Sequence, residues 1–517
     1  MADDKTPTTT KGSGAAPADA SGGGNVTGGG SSGGGSKSGG LVDQIITQGR
    51  MARDDSQIPA AKAMLAEFVS QVSSAPKGTV GDDTYAFIVS SIANIDRQLS
   101  TQMDQIMHDP SFQTLEASWQ GLNNLVMNAE TGERLKIRVM CATKDELMKD
   151  LETAVEFDQS QLFKKVYEEE YGTYGGNPYS CLIGDYDFGR NPQDIELATL
   201  ISGVAAAAMA PFIASANPTM FSMDAFSELS GPRDMAKLFD STDAIKWNSF
   251  RDTDDSRYFT LTLPRVLMRL PYGPATVPVD AFNYQETVDG TDNTKFSWGS
   301  PAYALGQRIT DAFSLYGWTA AIRGVEGGGM VSDLPAYTYQ TASGDMTVKI
   351  PTEVAITDRR EKELSDLGFM SLCYCKGTDY AAFFGGQTTQ RPKVYDQDAA
   401  NANASISARL PYMLNASRFG HYIKVMMRDK IGSFMSRQEV SHYLNNWIGG
   451  YVLLSDVAPL EVKSQFPLRQ ARVDVLDVPG KPGSYKAVVF LRPHFQLEEL
   501  TASIRLVATL PPPVTHL

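Results

Sequence analysis

Residues 179–216, YSCLIGDYDFGRNPQDIELATLISGVAAAAMAPFIASA, constrain the fold more than any other stretch of this chain. A short apolar run of Cys181, Leu182 and Ile183 stops at Gly184 and Asp185, and a polar loop over 189–192 follows. That loop brings Pro192 to a helix start, where its missing N–H costs nothing. An Ala-rich apolar helix over 195–209 comes next; Pro211 ends it, and Phe212, Ile213 and Ala214 open a second strand. Strand, loop, helix and strand make a βαβ unit, whose two strands pair in parallel. The helix is apolar nearly all round, which predicts burial between layers.

The remainder divides into four regions. Residues 1–40 are Gly, Ser, Thr and Ala with almost nothing apolar, so they are expected to form a disordered tail. Residues 41–82 read as an arm: Leu41, Val42, Ile45 and Ile46 form an isolated apolar segment, followed by a weak helix over 59–72. Residues 83–395 read as the main domain. A long helix begins at Asp82 with Ile88, Ile92, Ile95, Leu99, Met103 and Ile106 at helical spacing. Pro110 stops it, and a helix over 112–126 carries Leu115, Trp119, Leu122 and Leu125. A strand over 135–140, a helix over 144–155 and the central βαβ unit come next. Beyond them lie strands or strand–helix pieces over 258–263 and 265–270, a polar excursion over 271–297, a helix over 303–315 and strands over 348–356 and 369–375. A polar stretch over 385–397 marks the boundary.

Residues 396–517 form the last domain. A helix over 405–435 is kinked or started near Pro411, and Ser436 with Glu439 forms a capping box for the next helix. Strands over 472–478 and 485–491 flank the turn Pro479-Gly480-Lys481-Pro482-Gly483. In the final strand Ile504, Leu506, Ala508 and Leu510 alternate with Ser503, Arg505, Val507 and Thr509, and three prolines stop it. The fold class is therefore α/β and α+β: a βαβ-containing main domain, then helices with antiparallel strands. At 517 residues and 42% hydrophobic, the chain can bury cores for two or more such domains.

Charge and motifs exclude several function classes. A net charge of −14 repels phosphate backbones and anionic headgroups, so neither nucleic acid nor a membrane surface is an expected partner. Residues 197–216 are the best membrane-span candidate, but their proline and dominance of Ala suit a buried helix. No signal peptide opens the chain, and four cysteines do not make a disulfide framework, which suits a cytoplasmic protein. Gly324-Val325-Glu326-Gly327-Gly328-Gly329 has P-loop glycine spacing, but Met330 and Val331 replace the Lys and hydroxyl, so a tight turn is the better reading. Asp185 and Asp187 end a parallel strand, where α/β proteins bind ligands; with Glu326 they support a rival reading as a metal-dependent α/β hydrolase. Asp252, Asp254 and Asp255 resemble a calcium loop, but the turn glycine and the bidentate acid are missing. Cys373 and Cys375 lack further zinc ligands nearby and read as core residues. Lys424, Arg428 and Lys430 read as a solvated helix face. No catalytic, cofactor-binding or metal residue is assigned and no cofactor is expected.

Several longer phrases carry a family resemblance. His108-Asp-Pro-Ser-Phe-Gln-Thr-Leu-Glu-Ala-Ser-Trp119, Leu182-Ile-Gly-Asp-Tyr-Asp-Phe-Gly189 and Arg323-Gly-Val-Glu-Gly-Gly-Gly329 are similar to the contractile-sheath large subunit of type VI secretion systems, the TssC/VipB/EvpB family. So are Ala355-Ile-Thr-Asp-Arg-Arg-Glu-Lys-Glu-Leu-Ser-Asp366, Asp429-Lys-Ile-Gly-Ser-Phe-Met-Ser436 and Phe490-Leu-Arg-Pro-His-Phe-Gln-Leu-Glu-Glu-Leu500. The resemblance implies a non-enzymatic, contractile-tail-sheath-like subunit. It pairs with a small sheath subunit of the TssB/VipA kind and stacks with copies of itself around an inner tube of Hcp-like protein on a baseplate. Contraction drives the tube and its effectors outward, and an AAA+ unfoldase then dismantles the sheath, mainly through the small subunit. It further implies that an N-terminal arm and C-terminal strands knit neighbours into shared sheets. Leu41, Val42, Ile45 and Ile46 at one end, and Ile504, Leu506, Ala508 and Leu510 at the other, are the residues with that pattern. Glu461 and Lys463, on a short helix ahead of the terminal strands, are candidates for facing the tube. A monomeric adaptor using 41–46 as a docking peptide is a third reading.

Overall fold

A computed structural model describes Ile46, Met51 and residues 54–74, 84–231, 234–341, 343–455, 457–481, 483–494 and 496. Residues 1–92 and 93–517 are two compact units. In the first, a helix spans Ile58–Ser74, longer than the 59–72 expected, and the helix Thr84–Met107 begins. Ile46 has helical backbone and is only 2% exposed; its carbonyl accepts from the Met51 amide at 3.0 Å. Leu41, Val42 and Ile45 lie outside the described residues, as do Ile504, Leu506, Ala508, Leu510 and the tail over 1–40.

The second unit is built on a six-stranded sheet. Its strands are β1 (Leu182–Phe188), β2 (Phe212–Ala216), β3 (Phe259–Leu263), β4 (Met330–Val331), β5 (Phe369–Tyr374) and β6 (Ala381–Phe383). They lie in the order β1-β2-β3-β5-β6-β4; the first four of that order pair in parallel, and β5–β6 and β6–β4 pair antiparallel. The chain between β1 and β2 includes the helix Pro192–Ala208, long enough for a parallel crossover. The short turn after β5 allows only reversal, and it is closed by the Cys375 amide on the Tyr380 carbonyl at 3.2 Å.

The expected βαβ unit is present, with one difference. β1 does not stop at Gly184 but continues to Phe188, with a register shift between Ile183 and Asp187. A Cβ at Gly184 would sit 2.3 Å from the Phe212 ring, so glycine lets the neighbouring strand's ring cross β1 at that irregularity. The helix buries Ile195, Leu197, Ile201, Val204 and Ala205, as its all-round apolar character requires. Phe212 and Phe259 stack at 5.3 Å on the same face of the sheet as this helix. On the other face Ile213, Met370 and Leu372 pack with Leu305 and Ile309 of the helix Pro301–Tyr316.

Four other expectations are corrected. Residues 135–140 form no strand, because nothing in the described chain pairs with them, although Leu135 and Ile137 are half-buried in alternation. The strand expected over 348–356 is instead a hairpin, Tyr337–Gln340 with Met346–Lys349, which ends before Pro351. The polar stretch over 385–397 begins inside the protein: Gln387, Thr388, Thr389 and Gln390 are all buried. Its backbone is satisfied there, with the Thr389 amide on the Phe259 carbonyl at 3.0 Å and the Thr388 amide on the Ala408 carbonyl at 2.9 Å. The helix over 405–435 is two helices, Asp398–Ser407 and Leu410–Asp429. Pro411 lies in the first turn of the second, the position it tolerates.

A third core joins Leu410–Asp429, the helix Arg437–Gly449 and a hairpin of β7 (Leu468–Asp477) and β8 (Tyr485–Pro493). The Ser436–Glu439 capping box is formed, and Gly480 and Gly483 take φ of +77° in the turn. Trp318 stacks on Phe419 at 4.2 Å and meets Tyr451 edge-on at 5.1 Å. Trp318→Ala should therefore cost about 3–5 kcal/mol. Urea denaturation followed by circular dichroism measures this; a loss under ~1 kcal/mol would show that the stack does not support this core.

Lys424 and Arg428 do not form a solvated face. The Lys424 ammonium lies 3.5 Å from the Tyr171 ring centroid and donates to the Tyr167 hydroxyl at 3.0 Å. Arg428 donates to the Tyr171 carbonyl at 3.3 Å, and Lys430 lies 4.8 Å from the Tyr443 ring centroid. Cation–π contacts dock these side chains on aromatics that the helical spacing could not reveal.

Beside them His421 is buried, with Nε2 2.8 Å from the Ala208 carbonyl. Burial pushes its pKa down to about 4, against that hydrogen bond. The unfolded chain then binds more protons than the folded one between pH ~4 and ~6.5, so stability falls as pH drops through that window. The expected loss is about 2–4 kcal/mol. The fall in melting temperature from pH 7 to pH 4.5 should be smaller in His421→Phe than in the wild type. Equal falls would contradict the assignment.

Candidate assembly surfaces

The carboxylates of the enzyme reading do not converge. Asp185 and Asp187 lie on β1, one edge of the sheet, whereas Glu326 sits exposed in the turn before β4, the opposite edge. Five interstrand steps separate these edges, about 24 Å. Burial raises the Asp187 carboxyl above its usual range, and Arg265 opposes this only in part. Asp185 is exposed, and its charge adds to burial in raising the Tyr303 hydroxyl. No cluster of three or more metal-ligating side chains occurs among the described residues.

The other motifs resolve as structure. Gly324 and Gly328 take φ of +71° and +87°, and a Cβ at Gly327 would lie 2.1 Å from the Arg323 carbonyl oxygen; the glycine run is a tight turn. Asp252 pairs with Arg391 at 3.3 Å and Asp254 with Lys393 at 2.9 Å. Cys373 is buried, and burial raises its thiol. No helix among the described residues is long and apolar enough to cross a membrane.

Among the described residues the hairpin β7–β8 forms a sheet only with itself. Its inner face, including Val473, Val475 and Val489, packs on the third core, while Leu476, Val488 and Phe490 remain exposed. The two edges differ. The edge of β7 is guarded from within: Asn445 accepts from the Val473 amide at 3.0 Å and donates to its carbonyl at 2.8 Å. Val452 bridges to Leu468 on the same strand. The outer edge of β8 has no ladder partner among the described residues. β8 is thus a nine-residue strand with apolar side chains on both faces and, among the described residues, one unpaired edge.

Glu461 is exposed and Lys463 half-buried on the helix Leu460–Gln465, the short helix expected there. Leu454, Val457 and Phe466 around it are exposed apolar residues that the sequence reading did not single out.

The long helix expected from Asp82 is present as Thr84–Met107. Of the residues at helical spacing, Ile88, Ile92, Ile95, Leu99 and Ile106 are exposed, and so are Leu115 and Trp119 on the helix Pro110–Asn128. A buried ionic cluster holds the inner side of these helices. Arg269 bridges Glu116 at 2.6 Å and Glu286 at 2.8 Å, and His108 lies 3.2 Å from Glu286. Asp104 accepts from the Tyr284 hydroxyl at 2.9 Å. Sequence reasoning missed this cluster; its one visible signal was acidic residues on the side of each helix away from the stripe.

Comparison with known proteins gives two family matches along the chain. Residues 89–390 match the family model VipB, the EvpB/VC_A0108 tail sheath N-terminal domain. Residues 399–510 match VipB_2, the EvpB/VC_A0108 tail sheath gpW/gp25-like domain. The Type VI secretion system sheath protein TssC1 of Pseudomonas aeruginosa is 49% identical over 435 residues, which cover 84% of this chain and 87% of that protein. Among solved structures, a chain of the anti-feeding prophage baseplate overlaps 61% of this chain and 66% of its own at 11% identity and TM-score 0.33. A chain of the contracted anti-feeding prophage sheath overlaps 60% and 66% at 13% identity and TM-score 0.29. Scores that low establish neither fold nor function. With both domain models matched in order and close identity to a sheath protein along most of its length, the chain belongs to the VipB/EvpB tail-sheath family.

Proposed function

We propose that this protein is the large subunit of a type VI secretion contractile sheath. It pairs with a smaller sheath subunit and polymerises helically around an inner tube in the cytoplasm. The tube with its effectors is propelled when the sheath contracts; a baseplate anchors the start and an AAA+ unfoldase recycles the product through the smaller subunit. The role is mechanical and has no catalytic centre. The observation that carries the reading is the hairpin β7–β8, held on its β7 edge by Asn445 and without a ladder partner on its β8 edge among the described residues, in a chain of the tail-sheath family.

Strand addition at β8 supplies main-chain hydrogen bonds, and alternate side chains set register. The segments that would complete it on neighbours are Leu41, Val42, Ile45 and Ile46 from one copy and Ile504, Leu506, Ala508 and Leu510 from another. A heterologous contact of this kind does not close, so it grows a helix. Residues 83–395 then form the sheath body and 396–517 the inner, strand-sharing domain, a division supported by the separate matches at 89–390 and 399–510. Glu461, exposed, and Lys463, half-buried, face the tube through charges near the surface that are individually weak, which allows sliding. Negative-stain electron microscopy of the chain co-expressed with the smaller sheath subunit tests this: long hollow tubules are expected, and dispersed monomers under all conditions would overturn it.

A further inference from the structure

Two of the longer phrases noted in the sequence meet at one side chain. Gln496 lies just past the end of β8, within the phrase over 490–500. Its amide donates to the Tyr412 hydroxyl at 3.0 Å, and its Nε2 donates to the Ala320 carbonyl at 2.8 Å. Its Oε1 accepts from Arg323, the first residue of the phrase over 323–329, at 3.5 Å. The receiving groups are themselves fixed. Arg323 is buried and donates through Nε to the Phe384 carbonyl at 3.0 Å. A Cβ at Gly386 would sit 2.7 Å from the Arg323 Cδ, so glycine there leaves room for the arginine. Tyr412 is buried at the start of the helix Leu410–Asp429. Its neighbours Leu410 and Leu414 pack in one core with Ala321, Ile322, Leu305 and Met370. Gln496 thus ties the chain leaving the hairpin to the core beside the large sheet, not to the hairpin's own core.

We infer that Gln496 is a positioning residue that passes pull on the C-terminal segment into the main body, so that β8 is not unzipped from β7. The inference rests on the strand-sharing reading above, in which a segment paired with a neighbour drags on its own subunit when the lattice moves. Without an anchor, that pull would enter the hairpin at Pro493. Pro493 pairs with Leu468 at the end of the ladder, and the register shifts between Leu468 and Gln470. The ladder is therefore irregular where the pull arrives. Pulling one strand end of an antiparallel pair breaks its hydrogen bonds a pair at a time, and each is weak alone. The bonds of Gln496 to Ala320, Arg323 and Tyr412 stand ahead of that end and share the pull. Positions 496 and 503 are seven residues apart, a reach of at most ~25 Å, so the anchor also bounds where a neighbour's strand edge can stand.

The test uses tubules of the full chain with the smaller sheath chain. Gln496→Ala should assemble to wild-type length, yet break under a fixed hydrodynamic shear into fragments several-fold shorter, measured by negative-stain electron microscopy. In those tubules the amides of residues 485–493 should exchange hydrogen about tenfold faster than in wild type. In the unassembled chain the same difference should be under about twofold, which separates passage of pull from a merely local structural role. Tyr412→Phe keeps the ring and removes the acceptor of the Gln496 amide, so it should fragment in the same way. It also keeps the test decisive if Gln496→Ala does not fold. Lys376→Ala, at an exposed turn after β5, serves as the control and should break like wild type. Wild-type fragment lengths and exchange in both variants would overturn the inference, as would an equal rise in exchange in the unassembled chain. Variant tubules already short before shearing would overturn it too, since Gln496 would then govern assembly. Failure of the wild type to form tubules removes the sheath reading itself, whereas wild-type tubules with unaltered variants remove only the anchor.

Discussion

Ile504→Pro is expected to leave the protein folded and able to bind its smaller partner, yet unable to form long sheaths. Deletion of residues 41–46 should do the same. The effect is large because it multiplies along a polymer. Adding a strand to the open β8 edge makes several main-chain hydrogen bonds, each about 0.5–1.5 kcal/mol net. Losing three or four of them removes about 2–5 kcal/mol from every contact, which weakens each by roughly 30-fold or more. A proline in the added strand removes a donor and bends the chain away from the ladder. Of the two variants the proline is cleaner, because Ile46 is buried and the deletion also removes an apolar side chain from a packed site. Sedimentation of co-expressed complexes should show tubules replaced by small species, with circular dichroism unchanged. Full-length tubules from both variants would contradict strand sharing.

Arg269→Ala should be among the most destabilising single substitutions in the chain. Its guanidinium lies between Glu116 and Glu286, and the three side chains are 10%, 9% and 1% exposed. Removing the cation leaves two carboxylates buried without their counter-charge, a loss of about 3–5 kcal/mol. Glu286 also accepts from the Tyr272 amide at 2.8 Å, so the damage spreads into the excursion over 271–297. Arg269→Met with Glu286→Gln should cost less than the sum of the two single changes, because each relieves the charge the other strands. Urea unfolding of the four proteins gives the coupling. Additive losses would show that the groups do not act as a unit.

How much of this was legible in the sequence depends on what each element packs against. The βαβ unit over 179–216 was readable because its pattern is local: two apolar runs and a helix apolar all round admit one arrangement. The Ser436–Glu439 capping box and the glycine turns were readable for the same reason. The stretch over 385–391 misled, since polar composition usually marks surface. Here Thr388 and Thr389 satisfy their polar groups on the Ala408 and Phe259 carbonyls inside the fold. The strand expected over 135–140 failed because alternation predicts a half-buried extended segment but not a partner to bond it. For the candidate surfaces, periodicity identified Ile95 and Leu99 as apolar-face residues. It could not say whether that face meets this chain or another. The asymmetry of the hairpin was invisible, since it depends on Asn445 reaching Val473 from a different helix.

Strand sharing requires that the outer edge of β8, unpaired among the described residues, finds its partner on a neighbouring copy. A helical cryo-electron-microscopy reconstruction of the sheath formed with the smaller chain answers this. It should show residues 41–46 and 503–510 paired as strands with hairpins belonging to neighbouring copies. Both segments folded back on their own chain, in a sheath that still assembles, would contradict it.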